Sequence, residues 1–175
     1  MKSIRISSDY KDIDKVRKLY DSSFPRNERI PFNMLLMRMK DNNPMFAYYE
    51  DDYLIGMSFC FMTDDIVYLS YLCVDEKYRN RGYGTKILKT LQEDLSSYRI
   101  AIDIEEVKED CDNYEERKKR KGFYLNNGFA SAGFYYHIYH VDYEILCYGG
   151  MVTKEDWKKV TRKSFGPFAD TAKFR

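Results

Sequence analysis

The sequence predicts a mixed α/β domain, and three observations carry that expectation. Strand-length apolar runs follow one another across residues 45–74, joined by acidic pairs. A glycine turn then opens an amphipathic helix. The later strands are separated by a highly charged helical stretch. Strands first paired by hairpins and then separated by helices give a mixed sheet, here a mostly antiparallel one.

In chain order, Lys2 to Ser7 alternates charge with isoleucine, as a short edge strand does. Asp9 or Asp12 can cap a helix to about Phe24, with Ile13, Val16, Leu19 and Tyr20 on one face. Pro25 ends it, Pro31 starts a second helix carrying Met34, Leu35, Met37 and Arg38, and Pro44 closes that segment. Strands are expected at Met45–Glu50, Tyr53–Thr63 and Ile66–Val74, turning at Asp51-Asp52 and Asp64-Asp65 without the favoured glycine. After the glycine turn, Thr85–Leu95 places Ile87, Leu88, Leu91 and Leu95 on one helical face. Arg99–Ile104 is a strand, and Tyr114–Asn127 a charged helix stopped by Asn127-Gly128. Ala130–His140 and Asp142–Tyr148 are two last strands, and Lys154–Lys163 a last helix. The expected organisation is one domain over residues 1–150, with residues 151–175 a helical appendage of it.

At 175 residues the chain can bury a sizeable core. A net charge of +1 supplies no global field, so neither nucleic acid nor an anionic membrane is expected as a partner, and any polyanion site is local. The 17 Tyr and 11 Phe predict a core built from amphipathic rings that keep hydroxyls available. Cys60, Cys73, Cys111 and Cys147 form no C-x-x-C pair, and neither His137 nor His140 has a cysteine near enough in sequence for a zinc knuckle, so no metal is expected. Most of these cysteines sit in apolar runs as small buried hydrophobes, which fits a reducing, cytoplasmic setting. The first residues lack the apolar core of a signal peptide, and no run approaches ~18 apolar residues.

The chemistry gathers around Arg79-Asn80-Arg81-Gly82-Tyr83-Gly84-Thr85, between the run ending Leu72-Cys73-Val74 and a helix. Glycines let N–H groups converge, and a helix N-terminus adds about half a positive charge, so together they make a pyrophosphate cradle. A dinucleotide site fits less well, because the third glycine is missing, and the Walker pattern fails for want of Gly-Lys-Ser/Thr. Arg79-x-x-Gly82-x-Gly84 after Leu72-x-Val74 resembles the acyl-coenzyme A signature of the GNAT N-acetyltransferase superfamily. Phe123-Tyr124-Leu-Asn-Asn-Gly128-Phe129 resembles the same family's later helix-to-strand segment, about 40 residues on. The element order agrees from about residue 2 to 148.

The resemblance implies the GNAT fold, in which the strands here at Tyr68–Val74 and Arg99–Ile104 splay and admit the pantetheine arm of acetyl-CoA. It implies that the Leu72 N–H polarises the thioester, that Val74 pairs with the pantetheine amides, and that the pyrophosphate rests on backbone N–H groups from Arg81 to Thr85, with Cys73, Arg79 and Asn80 also in the coenzyme site and Arg79 and Arg81 adding local charge. It assigns Tyr124 as the acid that protonates the departing thiolate, with packing alone as the plainer reading. The family's usual base positions are Ser70 and Tyr68 here, neither a good amine base. Asp103, between Ile102 and Ile104, is a candidate acting through water, and Glu105 shares its face if the strand continues. Where relatives often carry Asn this chain has Arg117. Arg117 or Arg120 can meet the 3′-phosphate, although the run 115–121 also reads as a solvated face.

By the same resemblance, the acceptor walls are expected at Phe24–Pro31 and Phe134–Tyr143. Glu28 is a candidate anchor for a cationic amine, with Arg26 or Arg29 for a carboxylate. Ser70, Glu105, Tyr136 and His137 are candidate acceptor contacts, His137 also an alternative base. The implied activity is acetyl transfer from acetyl-CoA to a small-molecule or peptide amine, by a monomer or homodimer. The competing expectation is an acyl-CoA-binding sensor of the same fold without turnover.

Overall fold

The computed structural model describes residues 1–39 and 42–175. Among them are eight strands and five α-helices, in two compact units: residues 1–62 with 69–94, and residues 63–68 with 95–175. Residues 151–175 lie in the second unit together with residues 95–150.

In the first unit, β1 (Lys2–Arg5) is antiparallel to β2 (Met45–Glu50), and β2 to β3 (Tyr53–Met62). β4 (Ile66–Val74) lies beside β3. Asp51 itself adopts a left-handed φ of 52°, which is how the β2–β3 turn forms without glycine. From Ile55 to Met62 every β3 residue is buried, so its apolar run is nearly continuous instead of alternating.

α1 (Ile13–Ser23) buries Val16, Leu19 and Tyr20, as its periodicity predicts. Asp12 occupies the N-cap, but its carboxylate pairs with Lys15 at 2.8 Å instead of capping. α2 (Phe32–Met39) buries Phe32 and Leu35 and leaves Met34 and Met37 exposed. α3 (Tyr83–Asp94) buries Ile87, Leu88 and Leu91. It meets the sheet at Gly56, where a Cβ would lie 2.4 Å from the Cys73 carbonyl oxygen and 2.5 Å from Ile87 Cδ1. Glycine is there for close approach.

In the second unit, Ile66–Tyr68 of β4 run parallel to Arg99–Ala101 of β5 (Arg99–Glu105), and that ladder stops at Tyr68↔Ala101. β5 is antiparallel to β7 (Val141–Tyr148), β7 to β6 (Ala130–Ile138), and β6 to β8 (Lys173–Phe174). β6 ends two residues earlier than expected, because Tyr139 and His140 both take positive φ (50° and 65°) and form the turn themselves. α4 (Tyr114–Asn126) buries no residue. α5 (Lys154–Phe165) opens with a reciprocal Thr153/Asp156 capping box and buries Trp157 and Val160. The two-residue β8 had no sequence signal.

Cys60, Cys73 and Cys147 are buried and Cys111 half-buried, all as free thiols. Burial pushes the Cys73 thiol up to about 11, leaving it an inert packing group. Among the described residues no helix is long and apolar enough to cross a membrane, and no group of three metal-binding side chains gathers.

Candidate active site

The first unit builds the turn that is the candidate anion site. Asp75 ends β4, donates its N–H to Ile55 O at 2.8 Å, and accepts from Lys77 N–H to cap a single 3₁₀ turn at Glu76–Tyr78. Successive strand residues direct their backbone groups to opposite edges, so with Asp75 turned to β3, Leu72 and Val74 turn to the other edge. The Val74 carbonyl there accepts Arg79 Nε at 3.1 Å, which folds that guanidinium back along the turn. Asn80 (φ 60°) and Gly82 (φ 77°) reverse the chain.

α3 begins at Tyr83, two residues earlier than the periodicity suggested, with Tyr83 edge-on to Tyr78 at 5.9 Å. Gly84 and Thr85 therefore belong to its first turn. The first N–H groups of a helix have no intrahelical partner, and the dipole favours an anion there. Arg79, Asn80, Arg81 and Gly82 are exposed, and beyond its own chain neighbours a Gly82 Cβ would meet no described atom within 4 Å. No acidic residue interrupts residues 79–85. Those properties fit a pyrophosphate.

The same unit holds Glu28, Arg29 and Ser70 among the acceptor candidates. Arg29 donates to the Phe24 and Asp21 carbonyls at 2.5 and 2.6 Å and pairs with the Asp21 carboxylate at 3.0 Å. Its guanidinium closes the C-terminus of α1. Glu28 is exposed and Ser70 half-buried. The loop is fixed by Tyr20, which donates to Ile30 O at 2.8 Å, and by Tyr71, whose hydroxyl accepts from Ile30 N–H at 3.0 Å.

The second unit gathers ionisable and hydrogen-bonding groups. Asp103 Oδ1 accepts from the Tyr68 hydroxyl at 2.8 Å, and Oδ2 from the Tyr136 hydroxyl at 2.5 Å. Burial raises the Asp103 carboxyl above its ordinary value, and the two phenols partly oppose that by stabilising the anion. Trp157 of α5 stands edge-on to Tyr68 at 4.9 Å and tilted to Tyr136 at 6.0 Å. Tyr143 stacks on Tyr136 at 5.2 Å, and Phe174 of β8 lies 6.0 Å from it. Tyr136 is thus a hydrogen-bond partner of Asp103 in an aromatic shell. Sequence reasoning set Tyr68 aside as a poor base and did not foresee Trp157. Both gain meaning only from strand register and from where α5 lies.

Tyr124 packs its ring against Phe123 and Phe129 at 5.0 and 5.4 Å. Burial pushes its phenol up to about 12, so it is protonated at neutral pH. Glu105 is the shared counter-ion of Arg117 (2.9 Å) and Arg120 (3.2 Å), and Arg117 also donates to Glu106 O. The candidate base and the two candidate phosphate ligands therefore satisfy one another. Lys121 pairs at 2.7 Å with Glu144, a carboxylate only 1% exposed. The basic run is not simply a solvated face, since it anchors a helix that has no buried apolar residue. His137 Nδ1 meets Asp142 at 2.9 Å, and Lys108 with His137 holds the Asp142 carboxyl down to about 2.

Residues 41–131, more than half the chain, match the family profile described as an acetyltransferase (GNAT) domain. No curated protein matches the sequence significantly. A protein from Bacteroides thetaiotaomicron described as a GNAT-family acetyltransferase superposes with a TM-score of 0.79 at 22% identity, covering 95% of this chain and 99% of that one. An aminoglycoside 6′-N-acetyltransferase complexed with coenzyme A gives 0.66 at 15% identity, over 84% and 96% of the two chains. A ribosomal-protein-alanine N-acetyltransferase from Brucella melitensis gives 0.62 at 13%, over 87% and 100%. At these identities the likeness establishes the fold alone, and it agrees with the mixed α/β architecture. Joined to the profile match across the glycine turn and α4, it leads to one conclusion: the chain belongs to the GNAT acetyltransferase family.

Proposed function

We propose that this protein is an acetyl-CoA-dependent N-acetyltransferase whose acceptor, a small molecule or a peptide, offers a primary amine that attacks the thioester directly in a ternary complex. One observation carries the reading: the N-terminus of α3 is an open turn flanked by two arginines, with empty space around Gly82. Its N–H groups and guanidiniums suit a pyrophosphate, and acetyl-CoA is the pyrophosphate-bearing donor of acetyltransferases. The Leu72 N–H, turned away from β3, stabilises the developing oxyanion. Tyr124, a phenol and so neutral at pH 7, protonates the departing thiolate. Asp103, raised by burial, receives a proton from the amine. Four free thiols fit a reducing, cytoplasmic setting.

The test has two stages. Acetyl-CoA at about 100 times its dissociation constant stabilises a protein by about 2.7 kcal/mol, visible as a rise in unfolding midpoint. Gly82→Glu, which puts a carboxylate into the anion cradle, is expected to remove that rise. A panel of primary amines is then screened for release of free thiol, and Tyr124→Phe is expected to slow release about 100-fold. Binding without thiol release from any amine, and no effect of Tyr124→Phe, would make the chain a coenzyme-binding module instead.

A further inference from the structure

We infer that Glu105 is the positioning residue for Tyr124: its carboxylate fixes the register of α4 along β5, and with it the place of the phenol. This rests on the acetyl-transfer reading above. No α4 residue is fully buried, so polar contacts hold this helix to the sheet. Glu105 Oε1 accepts from Arg117 at 2.9 Å and Oε2 from Arg120 at 3.2 Å, one oxygen for each of two guanidiniums about a helical turn apart. Arg117 donates a second time, to Glu106 O at 2.9 Å, and Lys121 meets Glu144 of β7 at 2.7 Å. The Glu105 and Arg117 side chains are the enclosed pair, 24% and 16% exposed, while Arg120 is 48% exposed.

The register matters because of what lies further along each element. Asp103 is two residues back along β5 and on the same face as Glu105. Tyr124 is one turn beyond Arg120 on α4, where its phenol feels the charges of Arg120 and Asp103. Helix and strand thus run past each other with Arg117 and Arg120 at Glu105 and Tyr124 toward Asp103.

At its C-terminal end α4 turns into β6 at Gly128, whose φ is 84°, and the Phe129 N–H returns to Tyr124 O at 3.1 Å. That end is a pivot, and Glu105 holds the other. From Asn127, Arg117 stands about 15 Å along the helix and Tyr124 about 4.5 Å. A swing of about 3 Å at Arg117 therefore moves Tyr124 by about 1 Å, and a misplacement of that size can cost about 100-fold in rate. Both Glu105 oxygens already serve the arginines, which fits a holding role.

The experiment is a cycle of wild type, Glu105→Gln, Tyr124→Phe and the double variant, with acetyl-CoA and the best amine of the panel. Glu105→Gln keeps the side chain's size and removes its charge. It is expected to lower kcat about 10-fold, short of the full effect because Lys121 still grips Glu144, with both KM values within about twofold of wild type. The double variant is expected to be no slower than Tyr124→Phe alone, because the displaced acid is already lost. Glu105→Asp, which keeps the charge on a shorter stem, is expected to recover part of the rate. If Glu105→Gln does not fold, Arg120→Gln at the exposed arm of the fork carries the same cycle, with a fall of about threefold.

Losses that multiply in the double variant, or a Glu105→Gln rate within about twofold of wild type, overturn the positioning role. A raised KM for the amine also overturns it and makes Glu105 an acceptor contact. A lower KM for acetyl-CoA at unchanged kcat does the same, because the freed arginines would then be phosphate ligands. Wild type that binds acetyl-CoA but turns over no amine defeats the acetyl-transfer reading and this inference with it. Turnover that Tyr124→Phe slows, but with losses that multiply, defeats the inference alone.

Discussion

Adding one methyl group at Gly56 tests whether α3 and the end of β4 are packed as tightly as described. The new Cβ would lie 2.4 Å from the Cys73 carbonyl oxygen and 2.5 Å from Ile87 Cδ1. Carbon contacts are comfortable at about 3.5 Å, so each neighbour would have to retreat by about 1 Å. Ile87 is fully buried and Cys73 O is main chain, so neither retreats by a rotamer change. Overpacking of this kind costs about 1–3 kcal/mol, and a backbone neighbour puts Gly56→Ala near the top of that range. The smaller unfolded-state entropy of alanine returns about 0.4–1 kcal/mol, which leaves a net loss of about 2 kcal/mol. Urea unfolding reads it as a lower midpoint at unchanged slope. Acetyl-CoA affinity should fall as well, because Cys73 lies between Leu72 and Val74. A variant within about 0.5 kcal/mol of wild type, with affinity intact, would refute the packing argument.

Further expectations follow from the buried charges. The folded-state pKa of Asp103 is raised, so its contribution to stability is full below its unfolded value of ~3.9 and is lost as pH rises through the folded value. Asp103→Asn should therefore unfold at a higher temperature than wild type at pH 7, with the gap closing at pH 3, while thiol release collapses; a midpoint lowered at neutral pH would contradict the burial argument. Lys121→Met leaves Glu144 buried without its partner. With Lys121 itself partly solvated, the loss should be about 2 kcal/mol by urea unfolding, and most of it should return in the Lys121→Met/Glu144→Met double variant.

The parts legible in the sequence were those set by short-range chemistry. The Val16, Leu19 and Tyr20 stripe gave α1, the Leu72-x-Val74 ending gave a strand, and Gly82 with its two arginines gave the turn. The parts hidden from it depend on register or on distant partners. Tyr68 and Asp103 meet because β4 and β5 pair at Tyr68↔Ala101, a fact no spacing encodes. Arg117 and Lys121 read as solvated because their counter-ions, Glu105 and Glu144, lie on other elements. Arg29 read as available because the carbonyls it closes become orphaned only once α1 has formed. The Tyr139–His140 turn lacked glycine and so carried no local signal.

The proposed anion site at the start of α3 is made from main-chain N–H groups, and those are present whatever side chains the residues carry. Along residues 82–85 the chief demand on sequence is a glycine at the positive-φ position, so mutation can change most of the turn's side chains while its hydrogen-bonding surface persists. The Asp103 network is the reverse, since each bond in it belongs to a particular side chain and vanishes with it. Under mutational drift the grip on the anion should thus be inherited almost unchanged, while proton handling is open to reinvention. A chain divided in this way can change what it reacts with far more readily than what it holds.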